Sequence, residues 1–491
     1  MGLLRPLALL PLLLPLLLTG ACSSLISTPR THEDVRPEEF ERAFLPRELA
    51  EDLRFLVDVC EEVHPRPYAL RPREEIEALR EALERRIQHP LTRREFWPLA
   101  AQLAAALGDD HTSLLPPFEE WNAFASTERL LPLAVEARAG RLVIVRSLAE
   151  GGPPPGAELR RVNGIDLRES LSEYPTLRAG EPAFAAASFS SNLHMHLWLA
   201  GARAPFEVHT DDGRGECTVY EGLEGMTAQE IQAKRSAVPA RANWTLHWLE
   251  GGVAWIDFRS MTDGGAWKDF LRATFDEIRA KEARGVIVDL RRNGGGDSTL
   301  GERLLAYLDD KPYRMASRKE WRSSARYRAH LKNHLAAWLR WLPLQYLHPF
   351  GRAFWGAEEG EIVVLELEEV TPEVEPRRFD GPWCLLIGPA TFSSAMMLAN
   401  AVGDFGLAPL FGAETGGVPN AFGEIYSCDL PNSRLQLQVS SAYFVRANGD
   451  GEDRRGVLPT HPVVSTPEDD AAGRDPTLEA ARAWLLEQAR P

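Results

Sequence analysis

Helical periodicity dominates the first part of the chain. Leu49, Leu53, Leu56, Val57, Cys60 and Val63 form one apolar stripe, and Ile76, Leu79, Leu83 and Ile87 form a second. A third helix is predicted from Thr92, where Glu95 completes a capping box, into LAAQLAAALGDDHTSLL. RLVIV and GAELRRVNGIDLRESL then read as a strand, a turn, a strand ending at Asn163-Gly164, and a helix start. LHMHLWL alternates, which sets His194 and His196 on one face of a strand. With no third ligand in view, a core or surface role is preferred to a zinc site. Residues 217–240 give no clear period. From Val253 onward, VAWIDF, GVIVDL and WCLLIG alternate with helical stretches through FLRATFDEIRAKEA, from Leu300, and after Ser393. Continuously apolar strands separated by helices predict a buried, largely parallel sheet in an α/β protein. No internal repeat is visible.

At 491 residues the chain is too long for one ordinary domain. Its 44% hydrophobic content supplies a large core. A formal charge of −16 excludes a general nucleic-acid binder, which needs a positive surface. MGLLRPLALLPLLLPLLLTGAC has an early Arg5, an apolar run and small residues before Cys22, the pattern of a secretory signal. Gly20-Ala21-Cys22 resembles a bacterial lipoprotein junction, although Thr19 stands where Leu is usual. Lipidation at Cys22 is preferred to plain secretion, which places the mature chain in the cell envelope facing the periplasm or exterior. Ser23 is not an Asp-type retention signal, so the outer membrane is the preferred location. Cys60, Cys217, Cys384 and Cys428 have neither CxxC nor Cys/His metal spacing. Cys60 and Cys384 read as core, and no disulfide is indicated.

The chemistry begins at GVIVDLRRNGGGDSTLGERLLAYL. A buried strand carries Asp289 and Arg291 to its C-terminal end, where open α/β sheets bind ligands. Gly294, Gly295 and Gly296 then permit close backbone approach, with N–H groups able to face an anion. The spacing is neither a P-loop nor a dinucleotide fingerprint. A second candidate is LIGPATFSSAMMLANAV, in which a strand passes through Gly-Pro-Ala-Thr into a helix at Ser393 and Ser394. Ser393 is either a helix cap or a nucleophile.

DLRRNGGG, then GPATFSSA, then FGAETGG, in that order, resemble peptidase family S41, the tail-specific or C-terminal-processing proteases with their tricorn-like and retinoid-binding-like branches. LVDVCEEVHPRPYAL and LGDDHTSLL resemble the family's N-terminal helical region, GAELRRVNGIDL its PDZ-like segment, and GVLPTHPVV its C-terminal end. The resemblance implies a ClpP/crotonase-like catalytic domain at 245–488, with an insertion at about 312–360. It further implies a helical domain at 45–118 and a degenerate PDZ-like segment at 128–225. Residues 1–22 are then the signal and 23–44 a linker.

By this resemblance Thr391, Ser393 and Ala395 match the nucleophile pattern, with Ser393 as nucleophile. Ser394 and Gly295 or Gly296 would supply oxyanion N–H groups. The lysine position of the Ser–Lys branch is Val418, and no lysine follows Lys332, so the tricorn-like Ser-His branch is implied, with His111 as base. For the acid that orients it, GEDRRGVLPTHP offers Glu452 and Asp453, the register favouring Asp453; Thr460 stands where the family commonly has Asp, and His461 reads as structural. The basic, aromatic stretch SRKEWRSSARYRAHLKNHLAAWLRWLPLQYLHPFGRAFW is expected to be an amphipathic helical lid, in preference to a surface for anionic lipid. The expected activity is a serine endopeptidase acting on peptide or unfolded protein, without cofactor or metal. The other reading is an inactive S41-fold carrier of apolar ligands, or a scaffold. The sequence leaves the oligomeric state open.

Overall fold

In the computed structural model the described residues are 34–489, except 108, 139, 181, 213–215, 237–241, 334–339, 341–342, 344–345, 347–348, 464–468 and 470–473. Cys22 and the signal segment lie outside them, as does much of the middle of the predicted insertion. The chain forms two compact units, one of Thr28–Ala240 with Glu424–Ser441, the other containing Arg241–Gly423 and Ala442–Pro491. No described helix is long and apolar enough to cross a membrane.

In the first unit, helices α1 (Pro46–Val63), α2 (Arg73–Arg86) and α3 (Arg93–Ala105) follow the predicted periods. The α1 stripe is buried from Leu49 to Val63, and Ile76 and Leu83 of α2 are buried too. The capping box forms as expected: Glu95 N–H donates to Thr92 Oγ1 (3.3 Å) and Thr92 N–H to Glu95 Oε2 (2.9 Å). Buried Asp52 accepts the N–H groups of Asn432 and Ser433, each at 2.9 Å, and so ties the late segment 424–441 to α1.

An antiparallel sheet follows, with strands β1 (Leu133–Arg138), β2 (Arg141–Ser147) and β3 (Glu158–Val162), then helices α4 (Leu167–Glu173), α5 (Pro182–Ser191) and α6 (Leu193–Leu199), and strands β4 (Phe206–Asp211) and β5 (Cys217–Leu223). Asn163 and Gly164 both take positive φ (48° and 79°), the turn that Asn-Gly favours after β3. LHMHLWL is helix α6, not a strand. Residues two apart on a helix point about 200° from each other, so His194 and His196 share no face. His194 Nε2 meets Leu131 O at 2.7 Å. His196 stacks on Phe189 at 4.7 Å, and burial pushes its pKa down to about 4. The unreadable stretch after 217 contains β5 and a helix at Ala228–Ser236.

The second unit is built on strands β6 (Trp244–Leu249), β7 (Val253–Phe258), β8 (Gly285–Asp289), β9 (Arg318–Arg322), β10 (Ile362–Glu366), β11 (Trp383–Ile387) and β12 (Leu410–Gly412), on the outer ends of β13 (Ala421–Asp429) and β14 (Gln436–Val445), whose Glu424–Asp429 and Gln436–Ser441 belong to the first unit, and on β15 (His461–Pro462). Helices α7 (Gly264–Ala280), α8 (Thr299–Ala306), α9 (Ser394–Asp404) and α10 (Pro476–Gln488) accompany them. Its six-stranded sheet runs β6-β7-β8-β11-β12-β15, parallel except for β6. Every residue of β8 and β11 is buried, which is why both read as unbroken apolar runs. Ala254, Val286, Val288, Leu385 and Ile387 pack with Trp267, Phe275, Leu304 and Leu398 of α7, α8 and α9 on one face. Val253, Ile287, Cys384 and Leu386 pack with Ala481 and Leu485 of α10 on the other.

The predicted helical insertion is mixed. Its start is strand β9, which pairs antiparallel with β10 and with Ala442–Val445 of β14. Helices at Ala325–Asn333 and Pro349–Gly356 follow β9. RKEWR holds Glu320 and Trp321 buried in a sheet, a tertiary demand that the charge pattern hides.

Arg291 is a clamp, not a ligand group. It donates to both oxygens of Asp289 (3.0 and 2.7 Å) and both of Asp475 (each 2.8 Å). Asp475 also caps α10 through Leu478 N–H at 3.0 Å. The end of β8 is thereby fastened to the helix that covers one sheet face. Replacing Arg291 by Met should leave the buried Asp289 carboxylate without its counter-charge and lower the stability of this unit by about 3 kcal/mol. Urea unfolding followed by tryptophan fluorescence measures this; an unchanged midpoint would show that the clamp contributes nothing.

Candidate active site

The glycine run is held by one amide. Asn293, fully buried, follows β8. Its Nδ2 donates to Phe258 O at the end of β7 (2.9 Å), and its Oδ1 accepts the Gly295 N–H (2.9 Å). Its own N–H donates to Leu290 O (2.9 Å), and its carbonyl accepts the Phe392 N–H (3.0 Å). Two strand ends, the glycine loop and the loop after β11 therefore converge on Asn293. Gly295 has φ 96°, and a Cβ there would lie 2.8 Å from Phe392 O and 2.9 Å from Ser394 N. Gly296 has φ 132°, and a Cβ there would run into the Met261 carbonyl. Both positions require glycine for conformation and for space.

The loop after β11 carries the serines. Buried Thr391 donates its hydroxyl to Leu290 O (2.8 Å) and accepts the Gly388 N–H (3.1 Å). Ser393 then adopts φ 51°, ψ −128°, a backbone state costing a non-glycine residue about 1–3 kcal/mol. It stands at the N-cap position of α9, yet its side chain makes no capping hydrogen bond. A strained strand-to-helix turn of this kind presents a hydroxyl instead of folding it onto the helix. Ser394 has a different task, because its hydroxyl donates to Gly296 O at 2.6 Å. Among the described residues the N–H groups of Gly296 and Ser394 carry no hydrogen bond. The Gly295 N–H, expected as a possible third oxyanion donor, is committed to Asn293.

His111 belongs to the other unit, on the loop between α3 and a short strand at Ser113–Leu114 that pairs with Leu437 and Gln438. Its Nδ1 lies 2.8 Å from Asp110 Oδ1, and its N–H donates to Asp109 Oδ1 at 3.0 Å. Burial works to lower the imidazole pKa. The Asp110 hydrogen bond and the charges of Asp110 and Asp109 outweigh burial and raise it above the ordinary histidine value. Asp109, Asp110 and His111 also bring potential metal-ligand atoms within 4.8 Å of one another; of these, His111 Nδ1 meets Asp110, while Asp109 is engaged by the His111 main-chain N–H and the Thr112 hydroxyl.

Residues 252–463 match the model of peptidase family S41. That segment is the part of the chain that carries the S41 family likeness. No curated protein sequence matches it. Among solved structures it is similar to mature CPAF complexed with lactacystin, at 16% identity over 90% of this chain and 98% of that one, with a TM-score of 0.61. It is also similar to mature CPAF, at 15% identity over 90% and 96%, with a TM-score of 0.58. At these identities the likeness establishes the fold. The family makes this chain a serine-type peptidase.

Other residues singled out in this S41 peptidase have visible structural work. Asp453 lies in the unit of Ser393, where Arg446 Nη1 meets it at 2.6 Å and Arg455 Nε at 3.2 Å. The Arg455 hydrogen bonds, aided by Arg446, pull its pKa down to about 2. Glu452 is exposed, its N–H on Asp450 Oδ1. The carboxylate on the His111 ring is that of Asp110, adjacent in sequence. Thr460 bonds both the N–H (2.8 Å) and the carbonyl (3.1 Å) of Leu410, a pairing with β12 that an Asp could not reproduce. His461 stacks on Phe411 at 4.4 Å. Sequence reasoning missed Asn293, whose signal was a lone amide between an apolar strand and three glycines.

Gly295→Ala tests the packing of the two loops. The added methyl meets backbone on Phe392 and Ser394, and positive φ adds strain. Turnover of casein should fall by about 100-fold or more, since misplacing a catalytic group by about 1 Å costs that much. Circular dichroism should show the fold retained; wild-type turnover would mean the close approach is not needed.

Proposed function

We propose that this S41 peptidase cleaves peptide bonds through an acyl-enzyme on Ser393, with His111 as general base and Asp110 orienting its ring. The observation that carries the reading is the strained, uncapping Ser393 beside the unbonded N–H groups of Gly296 and Ser394. His111 Nδ1 is engaged by Asp110, which leaves Nε2 as the nitrogen to take the Ser393 proton. Ser393 Oγ bonds to the scissile carbonyl carbon, and the oxyanion takes hydrogen bonds from Gly296 and Ser394 N–H at the positive end of α9. The C–N bond breaks as His111 returns the proton to the leaving amine, and water then releases the acyl group by the same steps. One apolar cavity in the helical region bears on the alternative of an apolar carrier. The apolar cavity lined by Leu56, Cys60, Tyr68 and Leu103 holds about 10 Å³. That is space for roughly one water.

The base assignment has a pH signature. Because His111 titrates above the ordinary histidine value, kcat/KM should rise through a limb above about pH 6.5 and fall as pH drops through the folded-state pKa. Asp110→Asn removes the main raising influence and leaves burial, so the limb should move to lower pH while kcat falls. His111→Ala and Ser393→Ala should each cost about 10²–10⁴-fold, and the double variant little more, since one catalytic unit is non-additive. Casein hydrolysis and fluorophosphonate labelling at Ser393 measure this; near-wild-type activity of His111→Ala would remove it as base.

We further propose that Cys22 is lipidated and anchors the mature chain to the bacterial envelope, preferably the outer membrane, where peptides or unfolded proteins are its substrates. The support is the Gly20-Ala21-Cys22 junction after an apolar leader. Cys22→Ser should abolish labelled fatty-acid incorporation and release the protein from the membrane fraction. Unchanged labelling and membrane association would refute it.

A further inference from the structure

Behind the His111 loop lies a buried polar chain that the mechanism above does not use. Asp109 is 3% exposed, His64 2% and Thr112 0%. Asp109 Oδ1 accepts the His111 N–H at 3.0 Å, and Oδ2 accepts the Thr112 hydroxyl. His64, just past the end of α1, brings Nε2 to 3.3 Å from the same Oδ2. His64 Nδ1 accepts the Arg66 N–H at 3.1 Å, so the imidazole proton sits on Nε2, facing the carboxylate. Thr112 Oγ1 in turn accepts the Ser440 N–H at 3.1 Å.

We propose that Asp109, braced by His64 and Thr112, is the positioning residue for His111. This rests on the reading of His111 as base. A single buried carboxylate holds His111 and the residue after it, one oxygen accepting the His111 N–H and the other the Thr112 side-chain hydroxyl. It is tied to three separate segments: the turn after α1, the loop itself, and Ser440 in β14. An isolated buried carboxylate is costly, and this one lies just beyond the C-terminal end of α3, where the helix dipole does not favour negative charge. A neutral loop could be packed here without that cost. What the charge adds is a fixed negative field at the imidazole, alongside Asp110 and against Arg178, which donates to Ser113 Oγ at 3.0 Å.

The test uses the full chain with Asp109→Asn, Thr112→Val, Thr112→Ser and His64→Gln. Asp109→Asn should lower kcat on casein about 10- to 100-fold with KM within about threefold, the pattern of lost positioning rather than lost binding. In a Ser393→Ala background, histidine-detected NMR should show the His111 titration midpoint moving to lower pH. Thr112→Val should follow in the same direction, Thr112→Ser should behave as wild type, and His64→Gln should fall between. If Asp109→Asn does not fold, the Thr112 pair decides. A folded Asp109→Asn with unchanged kcat and midpoint, or a Thr112→Ser as damaging as Thr112→Val, would overturn the inference. A midpoint that moves, in a protein whose His111→Ala variant keeps full activity, would uphold the positioning and sink the base assignment instead.

Discussion

The geometry around Ser393 depends on the buried Asn293. Each hydrogen bond it makes is worth only about 1 kcal/mol net, but leaving a buried donor or acceptor unpaired costs about 1–3 kcal/mol. Its partners belong to four places in the chain: Phe258, Leu290, Gly295 and Phe392. None can move without breaking a bond that water cannot replace. That rigidity lets Ser393 persist in a strained backbone state, because the cost at one residue is offset by a network that has no relaxed alternative.

The His111 imidazole is subject to competing influences. Burial alone would hold the imidazole neutral, and two adjacent carboxylates pull the other way and prevail. The same carboxylates fix the ring and its main chain, so position and proton affinity are set by the same groups. Asp453 is paired with Arg446 and Arg455. Those arginines hold a loop together, and a free carboxylate there would leave Arg446 to Asp404 alone.

The sequence made some features legible for identifiable reasons. Buried parallel strands cannot alternate, so β8 and β11 announce themselves, and α1 to α3 carry regular stripes. Ser393 stood out through the resemblance carried by Thr391, Ala395 and the distant glycines, and its uncapped N-cap position was not readable from the sequence. Other features depended on tertiary pairing. RKEWR reads as charged and becomes strand β9 because β10 and β14 take its edges. LHMHLWL alternates by accident and is helical because Leu193, Leu197 and Trp198 pack inward. The contact of Asp110 with the His111 ring was not read from the sequence, where Asp109 and Asp110 look like residues that end a helix. The Gly295 N–H was counted as free because a sequence does not reveal that an amide two residues earlier will claim it.

The two serines show how a single turn divides its labour. The Gly295 carbonyl accepts the Met261 N–H at 3.1 Å, so the peptide joining Gly295 to Gly296 is pinned on its oxygen side. A trans peptide points its N–H opposite to its C=O, and the Gly296 N–H must therefore face away from Met261. The next carbonyl, that of Gly296, is taken by the Ser394 hydroxyl. With both flanking carbonyls fixed, the direction of the Gly296 N–H is no longer adjustable. Had Ser394 capped the helix instead, the glycine loop would lose its tie to α9, and the donor would be free to swing. The side chain beside Ser393 thus does structural work that leaves a backbone donor pre-aimed, the arrangement that can meet a negative charge without reorganising.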